Sequence, residues 1–402
     1  MQARTHGNLI IGQSGGATAV INASLVGAVE AALADTRIDG IYGMRSGIQG
    51  LLAEDILDLR REPGHLWHRI AQTPSAALGT CRYKLQQEDP AQAIEILRRY
   101  NVRSVLYIGG NDSADTAHRL AQAAQQANYD LQTISVPKTI DNDLPFTDHC
   151  PGYGSAARFI ALATQDSALN TISIPSHYPV KVIETMGRDA GWLTAASALG
   201  KRDEHDPPHI ILLPEQTFEE ERFLAQVEEI YRRIGYIIIV AAETIRDQQG
   251  QPLGSSGQTG TDAFAHPLLS GAAQYLVELV KQKLQLRARF DKPGDLQRMA
   301  STSISSTDHD EAYLVGKMGV QALLNGESDK MITLQRHDQP AYGCTTGLAE
   351  LEQVANKQRL MPDEYLDASK TMVTAAFHTY ALPLIGTPLP EPARLKLIKA
   401  KP

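Results

Sequence analysis

Two carboxylates, a lysine and a hydroxyl fall within six positions in Lys138-Thr139-Ile140-Asp141-Asn142-Asp143, just past the mostly apolar run Ile134 to Pro137. Asp141 and Asp143 stand at i and i+2, with Lys138 close by. Such a set suits phosphoryl transfer. One carboxylate can take a proton from an attacking hydroxyl, another can hold Mg²⁺, and the ammonium can offset phosphate charge. A charged loop capping a helix is the plain alternative, and a bare Asp-x-Asp favours it. Glycine turns elsewhere in the chain shift that balance.

Gly15-Gly16 follow Leu9-Ile10-Ile11 and precede a small-residue helix expected from Ala17 to about Ala34. Backbone N–H groups at the mouth of a helix favour an anion through unpaired donors and the dipole. Gly12-x-x-Gly15-Gly16 does not have the dinucleotide-binding spacing, and a plain tight turn explains it equally well. Gly109-Gly110-Asn111-Asp112-Ser113 repeats the device after Tyr107-Ile108, so two strand ends present backbone amides. Gly187-Arg188, after Val182 to Met186, is a third strand-to-helix corner, where Arg188 can form a fork to phosphate or sugar oxygens. Glu243 follows five apolar residues at a strand end, a position from which a carboxylate reaches sugar hydroxyls. Arg287, Arg289, Lys292 and Arg298 form a local basic group, for which solvent exposure is the plain reading.

The elements that must position these groups alternate. Asp89-Pro90 opens a helix whose Ala93, Ile94, Leu97 and Tyr100 share one face. Val105 to Ile108 reads as a buried strand, Asp112 to Ala127 as a helix, and Leu131 to Val136 as the next strand. The rhythm repeats with Val180 to Ile183, a helix from Ala190, Ile210 to Leu213, a helix over Phe218 to Arg233, and Tyr236 to Ala241. Strand–helix–strand units imply parallel sheets with ligands at the carboxyl ends of the strands. Pro252 to His266, rich in Gly, Ser and Thr, is expected to be a mobile surface loop. No linker rich in Pro or Ser separates the halves, so the chain is expected to cross between domains several times.

At 402 residues two domains are expected. A net charge of −8 leaves no basic footprint for nucleic acid, so an anionic ligand must be met by local clusters. Cys81, Cys150 and Cys344 lack metal-ligand spacing and read as reduced thiols of a cytoplasmic protein. The apolar run near the start is too short for a signal segment. No apolar stretch approaches the ~18 residues that a membrane span requires.

Taken together these blocks resemble the phosphofructokinase family, specifically its pyrophosphate-dependent branch. The resemblance rests on Gly15-Gly16 with Asn22, Tyr42-Gly43 to Gly50, Gly109 to Ser113, Pro137 to Asp143, Met186-Gly187-Arg188, Glu243, and Leu296-Gln297-Arg298. It implies two interleaved three-layer α/β domains with mainly parallel sheets. Residues 1–155 with 298–342 would form the phosphoryl-donor domain, and 156–297 with 343–402 the sugar-phosphate domain. Asp141 matches the general base that deprotonates the C1 hydroxyl of fructose 6-phosphate, with Lys138, Asp112 and Thr139 beside it. Thr139, Ile140, Asp141, Met186, Gly187, Arg188 and Glu243 would line the sugar. Arg289, Asp295, Leu296, Gln297 and Arg298 fall at the 6-phosphate site. Gly15, Arg82, Gly110, Asn111, Asp112 and Ser113 match donor positions, and Asn111 with Asp143 the Mg²⁺ site. A homo-oligomer, dimer or tetramer, is implied.

Asp112 and Lys138 stand where ATP-using members resemble each other in carrying Gly, and both agree with pyrophosphate users. A carboxylate in place of a hydrogen crowds and repels an α-phosphate, while Lys138 supplies charge for compact pyrophosphate. Three departures accompany this. Asn111 replaces a metal-binding Asp, Asp295 replaces a His, and Pro179 replaces an Arg that reaches across a subunit interface, for which Lys181 is a candidate substitute. The resemblance leaves two alternatives: an ATP-dependent enzyme that tolerates Asp112, and a noncatalytic subunit that binds sugar phosphate.

Overall fold

In the computed structural model, which describes residues 7–254, 271–339 and 341–395, the expected strands are present, others not foreseen join them, and two sheets form. The chain first lays down β1 (Gly7–Gln13), β2 (Ile38–Met44), β3 (Ile56–Asp58), β4 (Val102–Gly109) and β5 (Gln132–Pro137). It then builds β6 (Val180–Thr185), β7 (Ile210–Leu212), β8 (Ile237–Ala242) and β9 (Ala288–Asp291), and returns with β10 (Lys330–His337) and β11 (Gly343–Glu350). The larger sheet has the order β11-β10-β5-β4-β1-β2-β3, and the smaller is β7-β8-β6-β9. All pairings are parallel except β2 with β3 and β10 with β11. Central strands such as Leu9-Ile10-Ile11 and Ile237 to Ala242 are buried throughout, as strands covered on both faces must be.

Helices cover each face. On the larger sheet, α1 (Ile21–Leu33) lies on one side, with α2 (Asp89–Arg99) and α3 (Asn111–Gln126) on the other. On the smaller sheet, α4 (Tyr153–Ser173) and α5 (Trp192–Ala196) oppose α6 (Glu220–Ile234) and α7 (Ala272–Leu284). Helix α8 (Ser306–Leu324) returns to pack beside α1, and α9 (Ala375–Ala381) joins the smaller sheet's core. The architecture is therefore two three-layer α/β units with mainly parallel sheets.

Four observations bear on the boundaries expected from sequence. The cut at 155/156 falls inside α4, whose hydrogen-bonded turns do not divide there. The cut at 342/343 falls just before β11, which pairs along its whole length with β10 and belongs to the larger sheet. The helix expected from Ala17 begins only at Ile21, because residues 14–20 form a loop. In the segment expected to be a mobile loop, positions 255–266 lie outside the described residues. Its first three residues instead pack down, with Leu253 buried and its N–H bonded to Ile245 O at 2.8 Å.

Candidate active site

The carboxyl ends of β1, β4 and β5 face those of β6 and β8 across a cavity of about 600 Å³. Its lining includes Gly15, Arg82, Gly110 to Ser113, Lys138 to Asp141, Asp143, Met186, Arg188, Glu243, Asp295 and Arg298. Most of the residues singled out from sequence are thus brought together by strands that end side by side.

The turn after β5 is held by its middle residue. Asn142 is fully buried with φ of 56°, a left-handed conformation that Asn tolerates better than most residues. Its Nδ2 donates to Tyr380 Oη at 2.8 Å, and its Oδ1 accepts from Cys150 N at 2.9 Å. With Asn142 pinned, the flanking Asp141 and Asp143 both reach the cavity. The Thr139 hydroxyl accepts from Asp141 N at 3.1 Å and hydrogen-bonds the Asp143 carboxylate. Burial, then the charges of Asp143 and Glu243, push Asp141 up to about 7 against the opposing pull of Arg188 and Lys138. Burial also raises Asp143. A carboxylate that titrates near neutrality is suited to general-base work.

Lys138 is buried, and its ammonium donates to Gly16 O at 2.8 Å. Burial and the neighbouring Arg298 bring its pKa down to about 8. An arriving polyanion relieves both influences, so Lys138 is poised to bind one. The glycine pair has a steric reason. Gly15 has φ of 75° and a Cβ there would lie 3.2 Å from Lys138 Nζ, while a Cβ on Gly16 would collide with the Arg298 guanidinium. The Gly15 N–H, expected to face an anion, donates instead to Cys81 O at 3.1 Å. The turn therefore serves close approach of cations. The second turn does open a helix, since α3 starts at Asn111 with Gly110 as its cap and Asp112 in its first turn.

Arg298 lines the cavity and pairs with Asp295 at 2.7 Å. Gln297 does not line it, but its Oε1 accepts from Met186 N at 2.9 Å and so holds the corner where Gly187 turns with φ of 123°. Leu296 points outward, 63% exposed. Arg289 does not line the cavity either. It sits on the edge strand β9 with its guanidinium 3.3 Å from the centre of the Tyr178 ring. Lys181 is buried and bonded to Asp291 at 2.9 Å, which removes it as a substitute for the arginine missing at Pro179. Lys292 is paired with buried Glu184 at 2.6 Å. Residues not foreseen include Thr18, Asp189, Asn356 and Gln358 on the wall. Thr18 lay inside an expected helix, and the others carry no motif.

A family model described as phosphofructokinase matches residues 8–323. The chain belongs to the phosphofructokinase family. It is 41% identical over 387 residues to a Xanthomonas campestris protein named pyrophosphate–fructose 6-phosphate 1-phosphotransferase, covering 95% of this chain and 92% of that one. A Halomonas elongata protein of the same name is 40% identical, with 94% and 91% covered. Among solved structures, the pyrophosphate-dependent phosphofructokinase of Nitrosospira multiformis superposes with a TM-score of 0.87 at 34% identity, covering 98% of this chain and 95% of that one. The similarity extends over both α/β units of this phosphofructokinase-family chain. No helix among its described residues is long and apolar enough to cross a membrane.

Proposed function

We propose that this protein reversibly transfers a phosphoryl group from pyrophosphate to the C1 hydroxyl of fructose 6-phosphate, giving fructose 1,6-bisphosphate and phosphate. The observation that carries this reading is the shared cavity: the near-neutral carboxylate Asp141 stands in it with Lys138 and with Asp112 at the start of α3. Asp141 takes the C1 hydroxyl proton. Lys138 and the first turn of α3 receive the charge that builds on the departing phosphate. Arg298 holds the 6-phosphate, while Glu243 and Arg188 orient the sugar. The larger-sheet unit carries most of the donor contacts, and the smaller-sheet unit most of the sugar contacts.

The residues fit Mg²⁺. Asn111 Oδ1 is buried without a hydrogen-bond partner, on a residue lining the same cavity as the Asp143 carboxylate. Such oxygen donors suit a hard cation, and the bound ion supplies charge neutralisation to the phosphates. The active assembly is a homo-oligomer in which Arg289 serves a second copy's cavity. This is supported by its outward stacking on Tyr178 and by the neighbouring exposed Phe290 and Leu296. The three free cysteines suit a reducing cytoplasm.

The test is a coupled assay of purified protein with fructose 6-phosphate, Mg²⁺ and either pyrophosphate or ATP at matched concentration. Turnover with pyrophosphate and little with ATP is expected. A preference for ATP would falsify the reading.

A further inference from the structure

Beyond β11, Asn356 to Arg359 crosses the mouth of the cavity and touches both sides of it. Asn356 and Gln358 line the wall. Asn356 Nδ2 donates to Asp115 Oδ1 on α3 at 2.9 Å, and the Lys357 carbonyl accepts from Asn111 Nδ2. That bond spends the amide's donor on the strap and leaves its oxygen, Oδ1, without a partner. One residue later, Arg359 turns to the other side. Its backbone N–H donates to Asp143 O at 2.7 Å. Its Nη2 donates to Asn142 O at 2.8 Å, and its Nη1 to the carbonyls of Thr147, at 2.8 Å, and Asp148. The guanidinium lies 4.7 Å from the centre of the Trp192 ring, whose indole N–H points back to Arg359 O at 3.4 Å. One side chain thus gathers three carbonyls, that of Asn142 in the turn that carries Asp141 and Asp143 and those of Thr147 and Asp148 in the loop that follows it.

We propose that Asn356–Arg359 is a positioning strap, in which Arg359 sets the carboxylate turn while Lys357 orients the Asn111 amide across the donor site. The inference rests on the phosphotransferase reading for its kinetic consequence but not for its geometry. It assigns Arg359 no contact with substrate. The reason to need such a device is local. Asn142 sits in a left-handed conformation that the turn alone does not favour. Carbonyls aimed together also repel one another unless a multidentate donor satisfies them. A planar fork with several fixed N–H groups meets that requirement, whereas a lysine ammonium at the same place reaches fewer carbonyls without the plane. The same strap reaches Asn111 and the start of α3, so the distance between donor-side and base-side groups is set by four consecutive residues.

The test compares wild type with R359K and R359M as full chains, in steady-state kinetics and amide hydrogen exchange. R359K keeps the charge and most of the stem. Its kcat with pyrophosphate is expected to fall by roughly 10–100-fold, the scale of a small misplacement of catalytic groups. KM for fructose 6-phosphate should stay within about twofold, because Arg298 is on another element, while the Mg²⁺ requirement rises. Peptides spanning 141–148 should exchange about tenfold faster or more, with β4 peptides unchanged. Guanidinium ion in the assay should restore part of the R359M rate. A merely structural residue would lower the melting temperature without this split between kcat and KM and without rescue. Retention of more than half the wild-type kcat in R359K, with unchanged exchange over 141–148, overturns the strap. Should wild type lack pyrophosphate turnover, the proposed function fails while hydrogen exchange still decides the strap. Should R359M not fold, R359K carries both readouts.

Discussion

As the proposed base, Asp141 combines two demands that conflict, since a carboxylate useful as a base must be ionised in a place that disfavours its charge. Replacing it with Asn keeps the shape but removes the proton acceptor, and kcat is expected to fall by ~10²–10⁴-fold with little change in sugar binding. The same substitution has a stability consequence. The folded pKa of about 7 lies above the ordinary carboxylate value of 3.8, so the folded state holds a proton that the unfolded state releases between those limits. The stability from that proton is complete below pH 4 and lost as pH rises through 7. D141N therefore should melt higher than wild type at pH 8 by roughly 2 °C or more, with the difference shrinking toward pH 5. Thermal unfolding at both pH values checks this. In wild type, kcat/KM should rise with pH through about 7 as the base ionises. In the proposed function Asp112 would set the donor by charge. At ~4 Å and an effective dielectric of ~20, its repulsion of an α-phosphate is about 4 kcal/mol before screening. D112G should raise ATP turnover and lower pyrophosphate turnover, and adding K138G should depress the latter further but non-additively. Parallel donor assays read both changes.

Helices α1 and α8 show how packing of whole elements holds these side chains. They cross at Gly27 and Gly316, where a Cβ on either would collide with backbone of the other helix, Tyr313 O and Ser24 O respectively. Glycine is required there by close approach, since neither position has positive φ. Helix α8 also carries Asp308, whose carboxylate accepts from Gly152 N at 2.8 Å and from Ser155 N at 2.9 Å, fixing the start of α4 behind the catalytic turn. Moving α8 away from α1 thus disturbs both units. G27A and G316A should each destabilise the protein by about 1–3 kcal/mol, as overpacking does, with kcat falling more than KM rises. Urea unfolding and kinetics on the same samples check this outcome.

For the whole molecule, the cleft lies between two separately cored units linked by α4, α8 and the strap, and the proposed function puts the donor on one and the acceptor on the other. Arg298 and Arg289 test how complete one chain is. R298A should raise KM for fructose 6-phosphate by about 10–100-fold, the worth of a charge-assisted bond to phosphate. R289A should do likewise, through the neighbouring copy. Inactive D141N and impaired R289A subunits, mixed equally and allowed to exchange as dimers, should then recover about a quarter of wild-type sites. Each hybrid has one cavity with an intact Asp141 and an intact partner arginine. No recovery after subunit exchange would confine Arg289 to its own chain.

Much of this was legible from order along the chain. Alternating apolar runs and helical periods determined two mainly parallel sheets, because strands covered on both faces must be apolar throughout. Lys138, Asp141 and Asp143 were readable because consecutive residues of one turn stay together whatever the rest of the fold does. Glycine pairs at strand ends marked corners for the same local reason, although at Gly15 the pair makes room for Lys138 and Arg298 rather than offering its amide. What tertiary structure decided is which distant groups meet. Arg298 entered the cavity and Arg289 did not, although only nine positions separate them, because β9 runs along the sheet edge before the chain turns inward. Lys181 was spent on Asp291, a partner 110 residues away. Arg359 carried no local signal at all, since its partners are carbonyls, and a carbonyl looks the same in every residue of a sequence.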